Sequence, residues 1–184
     1  MRVLGVDPGS QATGYGLIER VDGRVRHVRH GVLRPPTGAD LAERLRFLHA
    51  GLLAIVQTEG PEVAVVERVF LAANPRSALV LGQARGAILA SLAAGGVRVS
   101  ELAARQVKKA VTGMGGADKA QMQTMVKRLL ALDAPPPSDA ADALALALTF
   151  AQAGPLAELA VGRGRARRRN GRRAMTALVT GRAR

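Results

Sequence analysis

Four carboxylates carry the chemical interest of this sequence. Asp7 ends the apolar run Val3, Leu4, Val6 and is followed by the turn signal Pro8-Gly9-Ser10. Glu67 interrupts VAVVERV (residues 63–69), a nearly continuous apolar run of the kind that forms a central strand covered on both faces. An acid inside such a run is rare unless it is paired or ligating. Asp139 and Asp142 are three apart at the start of DAADALALALTFAQ, so a helix there points both from one side.

Each has a plain structural alternative. Asp7 could cap its turn, and Asp139 could be an ordinary helix-start acid answering the helix dipole. Asp142 is harder to place that way, because Ala141, Leu144, Ala145 and Leu148 mark its surroundings as buried. Brought together, four carboxylates repel one another, and two divalent cations would relieve that repulsion. Such a pair can activate water and stabilise a leaving oxygen in phosphodiester cleavage. Magnesium takes oxygen ligands, keeps several waters and is completed by substrate phosphate.

The rest of the chain limits the alternatives. There is no cysteine among the 184 residues, which excludes disulfides, zinc-thiolate sites and thiol nucleophiles. Histidine is confined to His27, His30 and His49, and the first two read as solvated strand residues rather than ligands. The start lacks the apolar core of a signal peptide, and no uncharged apolar run reaches membrane-spanning length. A cytoplasmic protein with no membrane partner is expected. The net charge of +13 points to a polyanion such as nucleic acid, although residues 158–184 hold nine Arg against one Glu and so account for most of it.

The elements that must position the acids follow from periodicity. Strands are expected over 3–7, 15–21 and 24–34 as an antiparallel meander, then over 63–69 and 97–99. Helices are expected over 40–58, 77–94, 101–112, 119–132 and 139–152, with Ser138 as the N-cap of the last. The order β-β-β-α-β-α-β-α-α-α describes an α/β fold in which crossover units follow the meander. One domain over 1–157 and a flexible Arg-rich tail over 158–184 are expected. Gly9 and Gly14 to Gly16 read as a tight hairpin letting a phosphate backbone approach Asp7.

Four stretches carry a resemblance: GVDPGSQATGYG, VVERVFLAANPRSALVLGQARG, ARQVKKAVTG with DKAQMQ, and SDAADALALAL. From residue 1 to about 152 the chain resembles the RuvC family of crossover junction endodeoxyribonucleases, which resolve Holliday junctions. The resemblance implies a ribonuclease-H-like mixed five-stranded sheet flanked by helices, and a homodimer acting on four-way junction DNA with a branch-migration helicase of the RuvA and RuvB type. It implies Asp7, Glu67, Asp139 and Asp142 as catalytic metal ligands for two Mg2+ ions, with Mn2+ able to substitute. Phe70 would stack on an unpaired base near the junction centre. Lys108 and Lys119 would contact phosphates near the scissile bond, and Arg76, Arg85, Arg105 and Lys109 are weaker candidates for the same surface. Where the family often has lysine this chain has Ala73, which shifts the expected contact towards Arg76.

Two other functions compete. A junction-binding protein without catalysis would have no need of all four acids. An ATP-binding protein of the actin/sugar-kinase type also opens on an Asp-x-Gly hairpin, but needs two such domains where 184 residues hold one.

Overall fold

A computed structural model describes residues 1–68 and 74–154. The elements run β1 (Arg2–Asp7), β2 (Thr13–Val21), β3 (Arg24–Leu33), α1 (Leu41–Glu59), β4 (Val63–Arg68), α2 (Pro75–Ala94), β5 (Arg98–Ala103), α3 (Ala104–Thr112), α4 (Lys119–Leu129) and α5 (Ser138–Ala153). Residues 1–152 form one compact unit. The five strands make one sheet in the order β3-β2-β1-β4-β5. β1, β2 and β3 pair antiparallel, whereas β4 and β5 join β1 in parallel through helical crossovers.

Period-two alternation sorts side chains between the two faces of the sheet. Leu4, Val6, Tyr15, Leu17, Ala64 and Val66 point to one face, where Leu52 and Val56 of α1 and Ile88 and Leu92 of α2 complete a closed core. The opposite face takes α5, whose Ala140, Ala141 and every residue from Ala143 to Ala151 are buried.

Glycines seat α5, and their role differs from the one expected. A Cβ on Gly5 would stand 1.8 Å from the Ala143 carbonyl oxygen, and one on Gly14 would stand 1.9 Å from that of Asp139. One on Gly16 would meet Leu144 at 2.6 Å. The hairpin glycines therefore bring a helix backbone onto the strands. Gly9 alone belongs to the turn, its missing Cβ giving room to the Ala12 carbonyl.

Several boundaries move. β5 extends to Ala103, beyond the expected 97–99, because its backbone pairs with β4 as far as Arg68↔Ala103, and α3 starts correspondingly late. α2 begins at Pro75, in the first turn where proline has no bond to lose, with Asn74 capping the Arg76 and Ser77 amides. α4 is closed at its start by a capping box between Asp118 and Gln121, and it ends at Leu129 before Ala131 turns left-handed. Among the described residues α2 is the one helix long and apolar enough to cross a membrane by length and composition, though Arg76 and Arg85 interrupt it.

Candidate active site

The sheet register brings the first two acids together. Val6 pairs with Val66 in the parallel β1·β4 ladder, so Asp7 and Glu67 are the next step on adjacent strands. Both fall on the face alternate to Val6 and Val66, the face that α5 covers. The third acid arrives through the helix. Asp7 pairs with Gly14 across β1·β2, and the Asp139 backbone rests on that same Gly14. Because Asp139 lies over Gly14 and Ala143 over Gly5, α5 runs with its N-terminus at the Asp7 end of β1.

The loop after Asp7 is held from two sides. The fully buried Thr13 hydroxyl donates to the Gly9 carbonyl at 2.8 Å, and the Arg44 guanidinium of α1 donates twice to the Ser10 carbonyl, at 2.7 and 3.0 Å. Such fixing of a turn by buried partners is what keeps a functional carboxylate in place.

Electrostatics ties the four acids into one group. The Asp7 carboxyl is pushed up to about 8, first by burial, then by the Glu67 charge and a side-chain hydrogen bond with Glu67, then by Asp142 and Asp139. The protonated form of Asp7 is favoured because a second negative charge beside Glu67 in a buried site is costly. Asp142 is likewise pushed up, by burial and by Glu67, and Lys119 and Lys108 partly offset this. The two lysines therefore stand within electrostatic reach of Asp142, Lys108 half-buried and Lys119 exposed. On the other flank Arg34 Nη1 lies 3.8 Å from Asp139 Oδ2.

This donor set fits hard divalent cations: every group is a carboxylate, and the mutual repulsion that raises Asp7 is what a cation would neutralise. Among the described residues no three acids or histidines are gathered closely enough to grip an ion as they stand. The carboxylates form an open array centred on Asp7, which suits an ion that keeps waters and takes substrate phosphate as a ligand.

Several expectations need correction. Asp139 lies in the first turn of α5 but Asp142 does not, because the first helical bond runs from the Ala141 amide to the Pro137 carbonyl. That bond also makes Pro137, not Ser138, the N-cap. The helix dipole therefore acts mainly on Asp139. Arg85 is half-buried and ion-paired with Glu101 of β5, which removes it from the candidate DNA surface. Arg76, Arg105 and Lys109 are exposed. Phe70, Ala73 and the Arg-rich tail lie outside the described residues.

His27 and His30 are not merely solvated. The β2·β3 register shifts between Leu17 and Ile18, leaving Val28 as an extra residue in β3. That bulge turns two side chains that would face opposite ways to the same face. His30 Nδ1 and His27 Nε2 then lie 2.8 Å apart in a hydrogen bond. Arg34 is the residue beside the acids that sequence reasoning missed; only its place as the last residue of the expected strand, before Pro35-Pro36, hinted at a fixed position, and in the structure β3 ends one residue earlier, at Leu33.

The family model of Crossover junction endodeoxyribonuclease RuvC matches residues 3–150. The crossover junction endodeoxyribonuclease RuvC of Burkholderia multivorans is 49% identical over 154 residues, spanning 84% of this chain and 85% of that protein. The Burkholderia cenocepacia strain HI2424 protein of the same name is 51% identical over the same shares. Among solved structures, Thermus thermophilus RuvC in complex with a Holliday junction substrate is similar with a TM-score of 0.76 at 35% identity, covering 82% of this chain and 93% of that one.

Proposed function

This chain belongs to the RuvC family, and on that premise we propose that it is a metal-dependent endonuclease that resolves Holliday junctions during recombination and repair. The observation that carries the reading is the Asp7–Glu67 pair, delivered by adjacent parallel strands and flanked by Asp142 and Asp139. A protein that only bound junctions would gain nothing from keeping these repelling acids together.

Asp7, Glu67, Asp139 and Asp142 would hold the ions, two Mg2+ per site with Mn2+ as substitute. When bound, such ions supply a water nucleophile at neutral pH and neutralise charge developing at phosphorus. The burial and repulsion that raise Asp7 would be offset by a bound cation, favouring its ionised, ligating form. Lys108 and Lys119, on the Asp142 flank, hold the phosphate oxygens of the scissile group and stabilise the added negative charge. Water adds to phosphorus, the bond to O3′ breaks, and the ends are a 5′-phosphate and a 3′-hydroxyl. Arg76 at the start of α2, with Phe70 just before it in the chain, would engage the strands near the crossover.

Symmetric nicking needs two sites, hence a homodimer. Its support is the outer side of α2, where Leu79, Gly82, Gly86, Ala90 and Ala93 are exposed at helical spacing, with Leu79 65% exposed. An apolar stripe of small residues lets a second helix approach closely. A cytoplasmic location and delivery of the junction by a branch-migration helicase belong to the same reading, as does a nuclease domain ending near residue 157.

The test is cleavage of a mobile synthetic four-way junction with Mg2+ and mapping of the nicks. Paired nicks at symmetry-related positions are expected. Scattered nicks on junction and duplex alike would indicate a general nuclease instead.

A further inference from the structure

We propose that Arg34 is a substrate-binding residue that grips a phosphodiester of the DNA strand on the β3 side of the acid row, a role that rests on the nuclease reading above.

Arg34 is placed by the fold. Leu33, the last residue of β3, pairs with Thr13 of β2, one step from the Gly14 on which Asp139 rests. Pro35 follows directly, and a residue before proline is confined to extended backbone, so the direction in which Arg34 leaves the sheet is restricted. Its side chain is 61% exposed, and its Nη1 lies 3.8 Å from Asp139 Oδ2. That is an ion pair well beyond charge-assisted hydrogen-bond length, and an exposed pair of this kind contributes next to nothing to stability. Among the described residues no acceptor takes a hydrogen bond from this guanidinium, while its planar fork of donors matches two phosphate oxygens.

Charge on the two flanks gives the ligand. The acids of β1 and β4 lie in the middle of the sheet; Arg34 follows β3 at one edge, and Lys108 lies on α3, which follows β5 at the other. A polyanionic strand crossing the carboxylates thus meets a cation before and after them. Asp139 is the charge that Arg34 faces while DNA is absent. With a cation held by Asp139 that attraction would weaken further, leaving the guanidinium's donors for the next phosphate along the strand.

The experiment compares junction binding by full-length Asp7→Asn protein with that of Asp7→Asn/Arg34→Ala and Asp7→Asn/Arg34→Lys, across a salt series in Mg2+. Losing one phosphate contact should weaken binding roughly tenfold at physiological salt, equally for every junction sequence, and make the slope of log Kd against log salt shallower by about one. The lysine variant, keeping the charge without the fork, should recover the slope and only part of the affinity. Unchanged affinity and slope in the alanine variant would overturn the proposal. So would an unchanged slope accompanied by tighter Mn2+ binding in calorimetry, which would make Arg34 only a counter-ion to Asp139. If the Asp7→Asn protein with Arg34 intact bound duplex as well as junction, the resolvase reading would fail, while the salt slope on duplex would still test Arg34.

Discussion

α2 and α5 are two apolar helices of one small domain, and the fold treats them oppositely. α5 buries eleven of its sixteen residues, α2 only four of twenty. α5 is sunk onto Gly5, Gly14 and Gly16, so close that its backbone touches the sheet. α2 packs one side against the core and leaves Leu79, Gly82 and Gly86 in the open, with free space around the two glycines. The buried helix fixes chemistry, since its position decides where Asp139 and Asp142 meet Asp7. The open helix offers an apolar face that pays off only when something covers it.

Replacing glycine by alanine should therefore act with opposite sign beneath α5 and on α2. Gly5→Ala places a methyl where the Ala143 carbonyl oxygen lies, and neither backbone can yield easily. The expected loss is about 3 kcal/mol or more by urea denaturation, with metal-dependent nicking lost as the acids separate. An unchanged midpoint would contradict the seating of α5.

Leu79→Asp should leave the fold intact but put a charge on the exposed face of α2. A dimer formed there should weaken by on the order of 2 kcal/mol, read by sedimentation as dissociation at a concentration where the parent is dimeric. Unaltered association would move the dimer interface elsewhere.

The acid end of α5 should show its repulsion as pH-dependent stability. Without divalent ions, the folded Asp7 carboxyl binds its proton up to about 8, against an ordinary value of 3.8. The folded state then holds more protons than the unfolded one between these limits, so stability falls as pH rises from about 4 to about 8. Asp7→Asn removes that slope and should make the metal-free protein more stable than the parent at pH 8, with little difference near pH 4. Mg2+ should raise the melting temperature of the parent most at the alkaline end. A parent that grows more stable over this range without metal would show that Asp7 is not a strained member of the group.

Gly82→Ala on α2 is the smallest effect and reverses the first. With nothing within 4 Å of the added methyl, helix propensity alone should stabilise the subunit by about 0.8 kcal/mol, while a close-packed dimer would loosen slightly.

The sequence displayed this architecture unevenly. The meander and the crossovers were legible because each strand and helix carried its own period and turn residues, as Asp7-Pro8-Gly9 and Gly60-Pro61 do. Asp7 and Glu67 stood out because an acid breaks an apolar run. The second half of β5 did not, since Ser100 and Glu101 join the sheet only through pairing with β4, and pairing has no local signature at an edge. The hairpin glycines were visible but their purpose was not: close approach of α5 is a long-range contact, and glycine for a turn looks the same in sequence. The His27–His30 pair depends on a one-residue bulge in β3 that no spacing rule reveals.

The most direct test of the central claim, that the Asp7-centred acids perform metal-dependent strand cleavage, is the Asp7→Asn protein on a synthetic four-way junction with Mg2+. Binding at close to the parent affinity with nicking lost by a factor of at least about a thousand is the result expected. Nicking at the parent rate, or loss of binding together with nicking in a correctly folded variant, would contradict it.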